Sequence, residues 1–359
     1  MKKVLNNPLT LFIPLFIIMI ISLLDMQNAK LLSPLYANNL TKQIIWYVVG
    51  ILTIIIISKI NIETILKYSK YYYWLSIILL ILVLFLGKTT NGAKAWFNFG
   101  FFSFQPSELT KLTLILYLSD IVSKSKNDFK MILKVITLTI IPSILVFLEP
   151  DTGAIIFYFL SAITILFFAP IKRYWFFIMG GIFLLLGAAF TILYIFNQDL
   201  LINLIGTSFF YRIERLITFK TESSYQLENA LIVIGSASLF GTGLNKVSLY
   251  IPEAPTDFIF AFTIGNFGIF TGFLLLLCYL LIDLFLINQY LKQKNKKIKL
   301  VLISFISMFF VGQIINISMN LGLLPIIGIP LPFLSYGGST IIIYFIFLGI
   351  ILSLLKKSY

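Results

Sequence analysis

The chain is divided into apolar runs, each about as long as a helix that crosses a bilayer, joined by short polar connections. A hydrocarbon core takes about 20 helical residues, within a range of ~17–25. Runs at 8–25, 42–58, 71–87, 106–123, 131–148, 153–169, 174–196, 256–288, 300–323 and 336–355 meet that length. Hydrophobic residues make up 59% of the chain and charged residues 11%, and the charges fall mostly between the runs. The pattern predicts an all-α, polytopic integral membrane protein of about ten transmembrane helices, forming one domain over residues 1–359. The first run follows only Lys2 and Lys3, and Asp25, Met26 and Gln27 come after it in place of a small-x-small cleavage site. It is expected to be a retained first helix.

The net charge of +13 invites a nucleic-acid reading, but the positions of the charges argue for topology. With the N-terminus inside, the inner connections hold Lys59, Lys67, Lys70, the 124–134 lysines, Lys172, Arg173 and the 292–299 lysines. The outer short connections hold only Lys30, Lys42, Lys88 and Lys94. This asymmetry predicts both termini in the cytoplasm and contact with membrane lipids, with no nucleic-acid partner. The single cysteine, Cys278, lies inside an apolar run, and there is no histidine. A serine–histidine triad, a histidine-ligated metal and an intrachain disulfide are therefore excluded, and acid–base chemistry falls to Asp, Glu, Lys or Tyr.

The acids crowd the other side. Asp25, Glu108, Glu149, Asp151, Asp199, Glu214, Glu222, Glu228, Glu253 and Asp257 all fall on or near the outer face. Several of them lie in one long outer loop of about 197–255, between the seventh and eighth helices. Loops of that length in a compact protein are usually functional or disordered. This one contains the apolar, glycine-punctuated stretch Ala230–Leu244, expected to be re-entrant or surface-lying, with Gly235, Gly241 and Gly243 allowing close approach or left-handed turns.

The eighth run has the most pointed entrance, IPEAPTDFIFAFTIGNFG, residues 251–268. Pro252 and Pro255 are expected to hold the approach extended, and Thr256 to cap a helix beginning near Asp257. Glu253 and Asp257 then sit at the water interface, where partial desolvation can turn a carboxylate into a base. Asp257 is the candidate catalytic residue and Glu253 a candidate substrate contact. Other stretches carry a functional and a structural reading side by side. Glu108 and Lys111, in Gln105-Pro106-Ser107-Glu108, share a helix face and are expected to form a supporting ion pair inside the protein. Glu149-Pro150-Asp151-Thr152-Gly153 is expected to be a tight turn, with an acid that can face the same cavity. Arg212 and Arg215 suit a diphosphate, or pair with Glu214, Glu222 or Glu228. Ser335, Gly337 and Gly338, at the start of the last helix, offer backbone N–H groups to a phosphate oxygen, or allow two helices to pack closely.

In order along the chain, QPSELTK (105–111), EPDTG (149–153), YRIER (211–215), IGSASLFGTGL (234–244), PEAPTDFIFA (252–261) and NLGLLPIIGIPLPFLSYGGS (320–339) resemble the shape, elongation, division and sporulation family of RodA/FtsW-like proteins. The length and the GIPLPF wording resemble the RodA branch, while YRIER is closer to the FtsW branch. The chain departs from the family pattern at Pro255, where a histidine is usual, at Gly265 and Asn266, where acids are frequent, and at Gly235-Ser236-Ala237-Ser238. The resemblance implies a peptidoglycan glycosyltransferase that polymerises lipid II at the outer face of the bacterial cytoplasmic membrane for cell elongation. It further implies a class B penicillin-binding protein as partner and Asp257 as the essential aspartate. A divalent cation, Mg²⁺ or Mn²⁺, is the expected companion of the diphosphate where Arg212 and Arg215 do not serve, with no metal site read from the chain itself. The alternatives are a lipid II flippase and a division-specific polymerase. A flippase predicts charges along a path to both faces, whereas the inner half holds little beyond Asp120 and Asp283.

Overall fold

The computed structural model describes residues 7–90, 93–100, 102–207, 210, 213–214, 217–218, 225–246 and 249–355. Its helices are α1 (Leu9–Ala29), α2 (Asn39–Ile57), α3 (Ile62–Lys67), α4 (Ser69–Leu86), α5 (Pro106–Lys124), α6 (Asp128–Leu148) and α7 (Thr152–Phe168). They continue with α8 (Tyr174–Phe196), α9 (Gln198–Ile205), α10 (Tyr225–Ser236), α11 (Ile259–Lys292), α12 (Lys296–Asn320) and α13 (Gly338–Leu355). Among the described residues, seven helices are long and apolar enough to cross a membrane, and Thr152–Phe168 and Gly338–Leu354 are shorter apolar helices. The protein is an all-α, multi-pass membrane protein.

Helix α5 differs from the rest because it carries Glu108, Lys111, Asp120 and Lys124. It is almost wholly buried, packed among α4, α6, α7, α12 and α13. Charged residues inside a membrane bundle face protein and find partners there. Glu108 pairs with Lys111 near one end, and Asp120 pairs with Lys124 and with Lys297 of α12 near the other. By contrast, α8 has no buried residue.

Between α4 and α5 the chain makes a small antiparallel sheet, which the all-helical expectation did not include. Its strands are β1 (Lys88–Thr90), β2 (Ala93–Asn98) and β3 (Ser103–Phe104), in the order β1-β2-β3. Trp96, Phe97 and Phe99 give this segment the aromatic content that favours strands. The sheet sits at the end of the bundle where α2, α5, α7, α11 and α13 begin.

The long connection before α11 is partly helical, through α9 and α10. Gly235 lies within α10 and makes no turn. Gly241 and Gly243 have φ of 69° and 92°, as the glycine pattern predicts. After α10 the chain runs across a break in α11, where Gly268 has φ 82° and ψ 173°. Thr242 N and Gly243 N donate to the carbonyls of Gly265 and Asn266, and Ile269 N and Phe270 N donate to those of Ser238 and Leu239. The loop therefore supplies the partners that the broken helix lacks, a requirement at membrane depth. The two backbones approach so closely that a Cβ on Gly241 would strike Asn266, and one on Gly268 would strike Leu239. Below the crossing, the buried Asp25 of α1 accepts from Thr263 Oγ1 (2.6 Å) and Asn266 Nδ2 (2.9 Å), tying α1 to the first turns of α11.

Candidate functional site

A cavity of about 480 Å³ opens at the sheet end of the bundle. Its walls come from α2 (Lys42, Trp46), the sheet and its β2–β3 connection (Trp96, Phe102), α5 (Glu108, Lys111), the turn before α7 (Asp151), the approach to α11 (Glu253, Thr256, Asp257), the 327–330 loop and the start of α13 (Gly337, Gly338). Sequence segments more than two hundred residues apart thus meet around one space.

The approach to α11 is a series of turns rather than extended chain. Glu253 takes φ 55° there, in the left-handed region. Thr256 does not cap the helix. Its hydroxyl donates to Glu253 O (3.1 Å) and Glu253 Oε2 (2.9 Å), and α11 begins at Ile259 with Phe258 as its N-cap. The two prolines favour turns as well as extended chain, and the Thr256–Glu253 contact closes the tighter option. Asp257 therefore stands just before the helix, half-buried on the cavity wall. Among the described residues its carboxylate has no hydrogen-bond or ion-pair partner. Gly328, with φ 71°, lies against it, and a Cβ there would come 3.5 Å from Asp257 Oδ2. Burial first, then the negative charges of Glu253 and Asp151, raise the Asp257 carboxyl from 3.8 to about 7. A base whose pKa lies near neutrality combines availability with proton affinity.

Glu108 and Lys111 form the expected pair, Lys111 Nζ lying 2.6 Å from Glu108 Oε1. The ammonium also sits 4.7 Å from the centre of the Phe157 ring, a cation–π contact. Both side chains reach the cavity from its buried floor. In the turn before α7, Asp151 does more than the turn reading required. Its Oδ1 caps α7 by accepting from Ala154 N (3.1 Å), and its Oδ2 accepts from Gln105 Nε2 (2.9 Å) and Ser107 Oγ (3.0 Å). Neighbouring Glu149 is fully buried, with neither carboxylate oxygen bonded among the described residues, and burial followed by the charge of Asp151 lifts it to about 9.

The start of α13 divides the three residues predicted there. Gly337 and Gly338 line the cavity. Gly338 also lets Trp46 lie directly over the chain, so the close-packing reading holds at that position. Ser335 is buried behind the wall. Its hydroxyl donates to Thr256 O (2.6 Å) and accepts from Leu331 N (2.8 Å), which locks the α13 approach to the turn before Asp257. Arg212 and Arg215 lie outside the described residues.

Sequence reasoning passed over Trp46 and Trp96, the cavity's aromatic walls, and Asn316 and Asn320 of α12. Both asparagines are buried and bond to the Asp257 carbonyl. Their signal was present: two amides spaced i, i+4 in an apolar helix share one face and must bond to something.

The family described as cell cycle protein, FtsW/RodA/SpoVE, matches residues 4–359. Among curated relatives, "Probable peptidoglycan glycosyltransferase FtsW" of Coxiella burnetii is 33% identical over 87% of this chain and 84% of its own. "Peptidoglycan glycosyltransferase MrdB" of Helicobacter pylori is 30% identical over 98% of this chain and 90% of its own. Among solved structures, the rod shape determining protein RodA of Thermus thermophilus superposes with a TM-score of 0.70 at 25% identity, covering 98% of this chain and 97% of that one. A chain described under structural coordination of polymerization and crosslinking by a peptidoglycan synthase complex superposes with a TM-score of 0.79 at 24% identity, covering 97% and 98%.

Proposed function

This chain belongs to the FtsW/RodA/SpoVE family of cell cycle proteins, and on that premise we propose that it polymerises lipid II at the outer face of the bacterial cytoplasmic membrane, with Asp257 as general base. Peptidoglycan glycosyltransferase is the activity by which its FtsW and MrdB relatives are named, and it is the activity of this chain. The observation that carries the mechanism is the Asp257 carboxyl, raised to about 7 on the wall of a cavity at one end of a membrane bundle.

Extending a glycan strand requires the 4-hydroxyl of one sugar to attack C1 of another, breaking the bond to the lipid diphosphate. The hydroxyl proton passes to the Asp257 carboxylate as the C–O bond forms, an effect of ~10²–10⁴-fold in rate. The diphosphate departs with the electron pair and needs positive charge beside it. Lys111 supplies a cation at the floor of the cavity, the first-turn N–H groups of α13 supply dipoles, and Arg212 and Arg215 are the proposed cations of the long loop. Glu253 is the proposed contact for sugar hydroxyls. Among the described residues no three acids converge to hold a metal ion. The proposed Mg²⁺ or Mn²⁺ is one that arrives on the substrate diphosphate, since magnesium is commonly held by one or two carboxylates plus substrate phosphates.

A class B penicillin-binding protein is the proposed partner, a reading supported by the fold shared with a chain of a complex that couples polymerization to crosslinking. Elongation is the proposed role, on the length and the GIPLPF wording shared with the RodA branch, while relatives named FtsW (33% identical) and MrdB (30% identical) stand about equally near. The lysine asymmetry supports a cytoplasmic position for both termini, and with that orientation the cavity opens on the outer face.

The test uses purified protein with labelled lipid II, with and without a class B partner, in Mg²⁺, in Mn²⁺ and in chelator. A ladder of polymer on a gel is expected. Translocation of labelled lipid II in vesicles without any ladder would replace polymerisation by the flippase reading.

A further inference from the structure

We propose that Asn320, backed by Asn316, is a positioning residue that fixes where α11 begins and so holds Asp257 outside the helix with its carboxylate on the cavity wall. The inference rests on the reading of Asp257 as the base and adds the device that aims it.

In a regular α-helix an N–H donates to the carbonyl four residues before it. The partner of Ala261 N–H would then be Asp257 O. In this protein the Asn320 amide is inserted between them. Its Oδ1 accepts from Ala261 N (2.9 Å), and its Nδ2 donates to Asp257 O (3.0 Å). One side chain thus takes both halves of the hydrogen bond that would carry the helix back by one residue. The first bond within α11 becomes Phe262 N to Phe258 O (3.0 Å). Asn316 completes the clamp: its Nδ2 donates to Asp257 O (2.9 Å) and to Ile329 O (2.8 Å). The second hydrogen of the Asn320 amide goes to Asn316 O (2.8 Å). The two amides therefore spend every Nδ2 hydrogen on three backbone carbonyls, two of which belong to the walls beside the Asp257 carboxylate.

The geometry is specific to asparagine. A hydroxyl has one hydrogen and cannot make both Nδ2 bonds, and a carboxylate has none to give to Asp257 O. Asn320 is fully buried, so water does not take over its bonds easily. Its removal has a clear structural consequence. With the amide gone, Ala261 N–H and Asp257 O are free to bond directly, α11 starts one residue earlier, and the Asp257 side chain swings to a helical direction. The chain keeps a complete hydrogen-bond set while the base is misaimed. Errors of ~1 Å in such placement cost on the order of 100-fold in rate.

The experiment compares wild type, Asn320→Ala, Asn320→Asp, Asp257→Asn and Met319→Ala as full-length protein in lipid II polymerisation, with melting temperature and the pH dependence of kcat measured for each. Met319 is buried on the same helix and serves as the control for loss of packing. For Asn320→Ala we expect kcat to fall by at least roughly tenfold with KM within about twofold of wild type, the pattern of a defect in the reacting geometry. Its acid limb should move by at least ~0.5 pH unit because Asp257 changes surroundings. Asn320→Asp should be no better than Asn320→Ala. Met319→Ala should melt earlier while its acid limb stays in place. Wild-type kcat in Asn320→Ala, or a loss that follows melting temperature across the set with no movement of the limb, would overturn the clamp. An active Asp257→Asn protein would instead remove the reading of the base on which the clamp rests.

Discussion

Lys111→Met removes the charge of a buried ion pair while keeping most of the length of the buried stem. The pair is short, at 2.6 Å, and the two side chains are 6% and 7% exposed. At an effective dielectric of about 20 the gross attraction at that separation is ~6 kcal/mol. Most of it only offsets the desolvation of the two charges, so replacing the pair as a whole by uncharged side chains is close to neutral. Removing one partner is different, because the other charge stays buried and uncompensated, at a cost of ~3–5 kcal/mol. Loss of the cation–π contact adds up to ~2 kcal/mol more. Lys111→Met and Glu108→Gln should each lower the melting temperature by roughly 10 °C, scaling from soluble domains. The double variant should melt close to wild type. Thermal unfolding in detergent, followed by tryptophan fluorescence on all four proteins, reads the cycle directly. Each of these variants also touches the cavity, so stability and not activity is the measured quantity. A single variant that melts within about 1 °C of wild type, or a double variant that falls by the sum of the two singles, would show that the pair is not a buried, mutually compensating one.

At the loop crossing, Gly268→Ala places a Cβ into the Leu239 backbone at a positive φ and should cost ~3 kcal/mol or more, whereas Gly235→Ala, in a helix with open space around it, should be neutral or stabilising by up to ~1 kcal/mol; equal melting temperatures for the two would contradict the crossing. The kcat profile should rise through about pH 7 as Asp257 ionises, and Asp151→Asn, which keeps the α7 cap but removes a neighbouring negative charge, should shift that limb to lower pH. The stability contribution has the opposite sense: the folded-state pKa lies above the ordinary 3.8, so the native state holds the proton more tightly, and stability declines as pH rises from about 4 through 7. Asp257→Asn should therefore melt higher than wild type at pH 8, and the gain should shrink at pH 4; a gain that grows toward acid pH would have the wrong sign.

The helices were legible because a bilayer imposes a length, and each apolar run from 8–25 to 336–355 has a helix within a few residues of it. The Glu108–Lys111 pair was legible because three-residue spacing on a helix settles which side chains meet. Asp257 was legible as a carboxylate at the mouth of a span, but its conformation was not. Thr256 and two prolines read locally as a capped helix with an extended approach, while the actual boundary is set by Asn320, more than sixty residues on. Ser335 was misplaced for the same reason, since its partners Thr256 and Leu331 come together only after the bundle closes. The strands at 88–104 fall in a short aromatic connection that helical periodicity does not address. The aromatic walls at Trp46 and Trp96 read like any membrane-interface tryptophan until the fold brings both to one cavity. Local chemistry thus identified the groups, and long-range packing decided which way they face.

The role of Asp257 is tested by polymerisation of labelled lipid II at pH 8 by wild type and by Asp257→Asn, both shown to be folded by melting temperature and both supplied with the same partner. At that pH the carboxylate is largely ionised, since its pKa is about 7, and asparagine keeps its size while removing the basic site. A ladder of glycan polymer is expected from wild type, and a rate lower by ~10²–10⁴-fold from the variant. Wild-type polymerisation by Asp257→Asn would contradict that role, and the base would have to be sought among Glu253, Asp151 and Glu108.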